Sequence, residues 1–208
     1  IRLSLVGSEM CIRDRCGSLR RHSLNRMLLE LAGECLPPQA TMQVCDWRAL
    51  PPLDADLLAT GMPESVHQLR ERIRRADAIV LATPEYNFSI PGMFKNALDW
   101  ISRGDDQPFR HKPVALVSAS PGPLGGARVQ YELRKVLQCM EADVLARPEV
   151  FVGQAAQKFD SQGLCTDTAT RSFVTAQMQA LGRLVAQHRR LHDLSLIHIS
   201  EPTRLRRI

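Results

Sequence analysis

The sequence lacks the long apolar runs that would indicate a membrane protein. No apolar run approaches about 18 residues, the length that favours a transmembrane helix, so we expect no membrane partner. Residues 1–7 are too short, and too poor in flanking features, for a secretory signal peptide. The sequence also contains no internal repeat and no low-complexity linker.

The spacings that mark metal sites and redox motifs are also missing. The six cysteines form no CxxC pair and no His/Cys pattern, which favours buried thiols and leaves a redox-active thiol as the alternative. The six histidines are scattered and form neither a triad nor a ligand set. We therefore expect no catalytic histidine and no bound metal ion.

A concentrated basic region is absent, although the formal net charge is +5. Residues 1–15 carry a net +1 and residues 194–208 a net +2, so the middle of the chain carries only +2, with both signs interspersed. No basic helix with interleaved aromatic residues is present in the sequence. We therefore expect no nucleic-acid partner.

Length and composition favour one globular domain. A chain of 208 residues can bury a sizeable core, and 44% hydrophobic and 24% charged residues are ordinary values. The two ends differ from the middle, because residues 1–15 and 194–208 resemble translated sequencing-library adapter. We expect residues 16–193 to form the domain and both ends to be non-native.

Strand and helix patterns alternate along the chain, which predicts an α/β fold with a doubly wound parallel sheet. Pro148 places the last strand region at an edge or divides it, because proline has no N–H to donate. The expected strands are 42–46, 78–82, 113–118 and 143–152. The expected helices are 24–31, 63–75, 92–102, 127–140 and 167–188, with a loop over 47–61.

The most informative stretch, residues 83–100, has the sequence TPEYNFSIPGMFKNALDW. It follows a buried strand, passes through turn residues and enters a helix, which places a binding loop at the carboxyl end of a strand. Glu85, Tyr86 and Asn87 offer an acceptor, an aromatic face and an amide in a row. Such a cluster can hold a flat ring with polar edges.

Two further loops follow expected strands. The first contains Gly17-Ser18-Leu19-Arg20 and then Ser23 and Asn25, at the start of a helix. Backbone N–H groups, hydroxyls and a guanidinium can bind an anion there, whereas the alternative is an ordinary turn with a helix cap. The other loop runs from Ser118 to Gly126, where glycines permit close backbone approach; the alternative is a flexible surface connection.

Together these three segments resemble the NAD(P)H-dependent FMN reductases of the flavodoxin-like superfamily, which includes chromate, quinone and azo-dye reductases. The resemblance covers roughly residues 16–188. It implies a five-stranded parallel sheet of order 2-1-3-4-5 with helices on both faces. It also implies an FMN cofactor, NADPH or NADH as co-substrate, a small-molecule electron acceptor, a cytoplasmic location and a homodimer or homotetramer.

The resemblance implies no catalytic side chain, because the flavin carries the chemistry. It implies a cofactor-binding set in three loops: Gly17, Ser18, Arg20, Ser23 and Asn25; Pro84, Glu85, Tyr86, Asn87 and Ser89; and Ser118, Ser120, Gly122 and Gly125. Glu85 has an alternative role as a dipole partner of the next helix, and Asn87 as a residue that closes its turn.

Other motif residues are expected to act outside the chemistry. The set Lys95, Asn96, Asp99 and Trp100 is expected to pack and to pair along its helix. The resemblance also suggests that Arg128, Tyr131 and Glu149 form a cluster at a subunit interface.

The resemblance requires an apolar first strand before Gly17, and two segments compete for it. Residues 1–6 are the more apolar segment but would leave about ten residues looped out, whereas residues 11–16 contain Arg13, Asp14 and Arg15. Burying such charges in a central strand would destabilise the chain.

Two alternatives to a reductase remain at this point. One is a flavodoxin-type electron carrier, although the near-neutral middle of the chain offers no acidic docking face. The other is a flavin-binding protein without enzymatic activity.

Overall fold

A parallel β-sheet forms the centre of the protein. The computed structural model describes residues 10–18, 22–44 and 47–200. The sheet has the order β2-β1-β3-β4-β5, and β6 also pairs with β4. All of these pairs are parallel. The strands are β1 Met10–Cys16, β2 Ala40–Val44, β3 Ala78–Ala82, β4 Pro113–Ala119, β5 Asp143–Val144 and β6 Val150–Val152.

The described part of the sheet therefore has six strands, where five were expected. The last strand region is divided, and Pro148 lies between β5 and β6. Two buried glutamines bind carbonyl groups beside this break. Gln177 Nε2 donates to Leu116 O at 3.0 Å and to Pro148 O at 2.9 Å, and Gln130 Nε2 donates to Val150 O at 2.8 Å. Side-chain donors thus satisfy carbonyl groups where the strand is interrupted.

Helices cover both faces of the sheet. The helices α1 and α6 pack on one face, while α3, α4 and α5 pack on the other. In β3 the residues alternate: Ala78, Val80 and Ala82 face the first cluster, and Ile79 and Leu81 face the second. The helices are α1 Leu24–Glu34, α2 Ala55–Thr60, α3 Glu64–Arg75, α4 Gly92–Ile101, α5 Ala127–Cys139 and α6 Thr168–Ser200.

Two sequence-based expectations for helices were wrong. The expected loop over 47–61 contains α2, which begins after Asp54, whose carboxylate accepts a hydrogen bond from the Asp56 N–H at 2.9 Å. The last helix was expected to end near residue 188, but α6 continues to Ser200. Its length has a simple reason, since the sequence contains no glycine or proline between Gly182 and Pro202.

The segment adjacent to Gly17 forms the first strand. β1 lies between β2 and β3, with Ile12 opposite both Met42 and Ala78. The charged residues 13–15 are therefore part of a central strand, and the competing segment 1–6 lies outside the described residues. β1 begins before the expected domain boundary at residue 16, and α6 ends beyond residue 193.

Residues 10–18, 22–44 and 47–200 contain neither a membrane-spanning helix nor a metal-binding cluster. None of the helices in these ranges is long and apolar enough to span a membrane. Nor do the same residues contain a group of three or more histidine, cysteine, aspartate and glutamate side chains that could hold a metal ion.

Candidate functional site

Three loops lie at the carboxyl edge of the sheet, after β1, β3 and β4. These strands are neighbours in the order β1-β3-β4, so the loops that follow them are neighbours too. The chain from β1 passes through α1 on one face, whereas the chain from β3 passes through α4 on the other. A crevice between such diverging connections is the usual ligand site of an open parallel sheet.

The first loop begins at a glycine that leaves no room for a side chain. The Gly17 N–H donates to Ala82 O at 2.6 Å. A Cβ placed on Gly17 would lie 2.8 Å from Thr83 Oγ1 and 3.2 Å from Phe94 Cδ1, both buried. Trp47 Nε1 donates to Cys16 O at 3.0 Å from a segment that sequence reasoning had not connected with the site.

The remaining first-loop residues differ in what they offer. Ser18 is buried, and Ser23 is the N-cap residue of α1, where its backbone carbonyl accepts the N–H groups of Arg26 and Met27. The Ser23 hydroxyl makes no capping bond and lies 3.8 Å from Cys16 Sγ. The predicted anion ligand Arg20 lies outside the described residues.

Asn25 joins the first loop to the third. Its Nδ2 donates to Ala119 O at 2.9 Å, and its Oδ1 accepts the Ala119 N–H at 2.9 Å. The side chain is buried, and both of its polar atoms are used by the backbone at the end of β4. In this structure Asn25 therefore fastens two loops together, a contact that its helix-cap position did not indicate.

The second loop forms a tight turn at the rim of the crevice. Tyr86 and Ser89 exchange backbone hydrogen bonds at 3.1 and 2.9 Å, and the two residues between them, Asn87 and Phe88, have φ of 49° and 67°. Positive φ at both central residues is the pattern of a type I′ turn. The turn is closed by backbone bonds, and the four side chains from Tyr86 to Ser89 are exposed.

Glu85 contacts the N-terminus of a helix, but not of the helix that follows it in the chain. Its Oε1 lies 2.7 Å from both Nε and Nη2 of Arg128, and its Oε2 accepts the Val129 N–H at 3.2 Å. These residues belong to the first turn of α5. Glu85 is therefore placed at a helix N-terminus, as the helix-dipole alternative supposed. The helix that this alternative named, α4, was wrong, because the contact is with α5.

The third loop is anchored along its length. The buried Ser118 Oγ donates to Gly125 O at 2.6 Å and accepts from Gln130 Nε2 at 2.8 Å. Ser120 Oγ accepts the Gly122 N–H at 3.1 Å. Gly125 has a φ of 60°, and a Cβ there would lie 2.7 Å from backbone atoms of residues 151–153. The glycine is required both by conformation and by space, and the loop is not an unattached surface connection.

The packing role expected for the α4 residues is confirmed. Lys95 pairs with Asp99 at 2.6 Å one turn away. Asn96 accepts the Leu53 N–H at 2.7 Å, and both Asn96 and Trp100 donate to Pro51 O. These contacts fasten α4 to the segment before α2.

Within one chain, the residues of the expected interface cluster have other recorded partners. Arg128 binds Glu85, while Glu149 lies 3.1 Å from Arg147 Nη1. Tyr131 packs against Phe151 with ring centroids 6.1 Å apart. Sequence reasoning missed one rim residue, Phe88, whose ring lies under the Arg128 guanidinium at 3.7 Å.

A groove of about 1130 Å³ lies at the other end of the sheet. It is lined by residues at the starts of β3, β4 and β5, including Asp77, Lys112 and Asp143. Lys112 Nζ donates to Ala76 O at 2.6 Å, and burial lowers the pKa of this amine. Because its charged groups bind one another and α3, this groove is less suited to a redox cofactor than the loop edge.

The residues of the loop edge fit a flat, phosphate-bearing cofactor. Gly17 has no side chain, so the start of the first loop lies directly against Thr83 at the start of the second loop. The Ser23 side chain makes no cap bond at the N-terminus of α1, a kind of position that favours anions, and the turn supplies an exposed aromatic ring and amide for a planar ring.

Comparison with known proteins agrees with this geometry. The family model described as NADPH-dependent FMN reductase matches residues 15–157. An NAD(P)H-dependent FMN reductase from Pseudomonas aeruginosa is 43% identical over 165 residues, which cover 79% of this chain and 89% of that protein. A quinone reductase from Escherichia coli K12 is 42% identical over 177 residues, covering 81% and 92% respectively.

A solved structure is similar over most of the chain. FerB from Paracoccus denitrificans, a flavoenzyme NAD(P)H:(acceptor) oxidoreductase, superposes with a TM-score of 0.79 at 33% identity. The match covers 86% of this chain and 98% of that one.

Proposed function

The chain belongs to the NADPH-dependent FMN reductase family, and we propose that it is an FMN-dependent oxidoreductase that takes hydride from NAD(P)H. The acceptors would be small molecules: quinones, flavins, azo compounds or metal ions such as chromate. The observation that carries this proposal is that the three loops meet at one edge of the sheet, where Gly17 lies against Thr83 and Asn25 bonds to Ala119. The names of the relatives support it.

Each loop has a distinct task in the proposed site. Gly17, Ser18, Arg20 and Ser23 would hold the FMN phosphate at the N-terminus of α1. The second loop, with Pro84, Tyr86, Asn87 and Ser89, would line the flavin ring, and Ser120 and Gly122 would bring backbone close to it. We assign Asn25, Ser118 and Gly125 to positioning, because their polar atoms or their space are already used inside the chain.

FMN, when bound, supplies the hydride and electron transfer. The protein's own residues orient the reactants, and the proposal assigns no side chain as an acid or base. The buried contacts of Asn25 with Ala119 and of Ser118 with Gly125 hold the backbone at both ends of the third loop, which reduces the ordering that this loop would need on binding. Orientation of two flat molecules is then the main contribution of the chain.

The first test is the visible absorption spectrum of the purified chain, with FMN titrated if it is colourless. Flavin uptake followed by steady NAD(P)H oxidation with an added quinone is the expected result. Flavin uptake without nicotinamide oxidation would point to an electron carrier. If no FMN binds even after an apolar first strand replaces residues 11–15, the proposal is wrong.

Arg20 provides a test of the phosphate loop. Arg20→Ala should weaken FMN binding by about 1.5–3 kcal/mol, the range for a hydrogen bond to a charged group. The matched control is Arg21→Ala, which removes the same charge one residue later. Equal FMN dissociation constants for both variants would remove Arg20 from the site.

We further propose that the protein forms a homodimer or homotetramer. An apolar patch lies beside the edge strand β6, where Phe151 and Phe173 line a cavity of about 230 Å³ and Tyr131 packs on Phe151. Tyr131 and Phe173 are 50% and 60% exposed, and burying them against a second copy would be favourable. Tyr131→Glu should lower the mass measured by light scattering, and an unchanged oligomer would contradict this assignment.

A further inference from the structure

We propose that Glu85 is a positioning residue that holds the second loop in its binding conformation. Glu85, Arg128 and Phe88 form a group that we call the latch, which joins the 86–89 turn to the first turn of α5. The inference rests on the proposed function, because the turn that it holds is the one proposed to line the flavin ring.

The carboxylate of Glu85 is committed to contacts inside the chain. Its side chain is only 10% exposed. One carboxylate oxygen accepts the Arg128 Nε–H and lies 2.7 Å from Arg128 Nη2, and the other accepts the Val129 N–H. Hydrogen bonds to an ionised group are shorter and stronger than neutral ones, and a negative charge at a helix N-terminus is favourable. Both effects hold Glu85 against α5.

Arg128 contacts the loop a second time at Phe88. Its guanidinium carbon lies 3.7 Å from the ring centroid, within the range of a cation–π interaction. Phe88 is 65% exposed, and the guanidinium covers one face of its ring. Arg128 therefore binds both Glu85 and Phe88. These two residues flank Tyr86 and Asn87, which are proposed to contact the flavin, so both ends of that pair are fixed.

The conformation of the turn explains why such a fastening is needed. Asn87 and Phe88 both have positive φ, which is unfavourable for residues other than glycine and persists where surrounding contacts enforce it. The closing bonds between Tyr86 and Ser89 are backbone bonds at an exposed site. Without the latch, the free loop would sample other conformations, and FMN would bind to a smaller populated fraction.

A double-mutant cycle with Glu85→Gln and Arg128→Gln tests the latch. We expect each single change to weaken FMN binding about tenfold and the double change to be little worse, since coupled groups show such non-additivity. Hydrogen exchange of the backbone amides of residues 85–90 in the apo-protein should be faster in every variant. Arg128→Lys should not restore wild-type values, because lysine has neither the second nitrogen that lies beside Glu85 nor a planar group that can stack on Phe88.

The matched control is the exposed ion pair of Glu132 and Lys135 on the same helix, 2.8 Å apart. Glu132→Gln and Lys135→Gln should leave FMN affinity and the amide exchange of residues 85–90 unchanged. Additive effects in the cycle, or unchanged exchange in the Glu85 and Arg128 variants, would overturn the latch. A wild-type protein that bound no FMN would instead contradict the proposed function, and the exchange measurement would still decide the latch.

Discussion

Gly17→Ala is the substitution that most directly disturbs the contact between the starts of the first and second loops. A Cβ at this position would lie 2.8 Å from Thr83 Oγ1, 3.2 Å from Thr83 Cα and 3.2 Å from Phe94 Cδ1. Both neighbours are buried, so neither can move into solvent. The φ of Gly17 is not in the left-handed region, so the effect of alanine would be steric and not conformational.

The size of the effect follows from these distances. Carbon contacts are optimal at about 3.5–4.0 Å, so the ends of β1 and β3 must separate by roughly 0.6 Å. Overpacking of a filled site costs about 1–3 kcal/mol. For a chain of this size we expect the thermal midpoint to fall by about 2–12 °C. FMN affinity should fall with it, because the displaced atoms begin the two loops.

Calorimetry of Gly17→Ala and three further variants would test this reasoning. The control is Gly122→Ala, where a Cβ would meet Ser120 Oγ at an ordinary 3.6 Å. Thr83→Ala removes the closest atom, so the double variant of Gly17 and Thr83 should be more stable than the sum of the two single changes. If Gly17→Ala and Gly122→Ala have the same thermal midpoint, the steric argument for Gly17 is refuted.

Two further predictions concern charges. The Arg74 guanidinium, which binds Asp106, holds the pKa of that carboxyl below its ordinary value. The stability from this pair should be complete above the ordinary pKa and be lost as the pH falls through the lowered one, so Asp106→Asn should flatten the acid limb of thermal midpoint against pH. Replacing residues 13–15 of the central strand β1 by valine should raise the thermal midpoint, because valine favours a parallel strand that lies between two others and burying charge in such a strand costs several kcal/mol. Equal midpoints would contradict that view of β1.

The sequence pattern was sufficient for the elements that are buried on both faces. Residues 78–82 form one continuous apolar run, and such runs are typical of central parallel strands. Pro148 correctly indicated a break in the last strand region, because its lack of an N–H is a local property. The order of the strands is not local, and it came from the resemblance to a known family.

The contacts inside the site could not be predicted because they join distant parts of the chain. Asn25 binds a residue 94 positions later, and Glu85 binds one 43 positions later. A polar side chain in a loop has the same appearance in a sequence whether it binds a ligand or another loop. Only the fold decides which partner is within reach.

This distinction separates two asparagines that the sequence had placed in one cofactor-binding set. Asn25 is buried, with both polar atoms bonded to Ala119, whereas Asn87 is exposed and, within the described part of the chain, its amide makes no hydrogen bond. Asn87→Gly keeps the positive φ and removes only the amide, so FMN binding should weaken by about 0.5–1.5 kcal/mol while the free energy of unfolding measured in urea changes by only about a few tenths of a kcal/mol.

Asn25→Ala should behave differently from Asn87→Gly. It leaves a buried backbone N–H and carbonyl of Ala119 without partners, at a cost of about 1–3 kcal/mol for each unsatisfied group. Stability and FMN affinity should therefore fall together. If Asn25→Ala weakened FMN binding but left the urea midpoint unchanged, the Asn25 amide would be a cofactor ligand and the fastening role would be wrong. A residue that only joins two loops cannot be removed without loosening them.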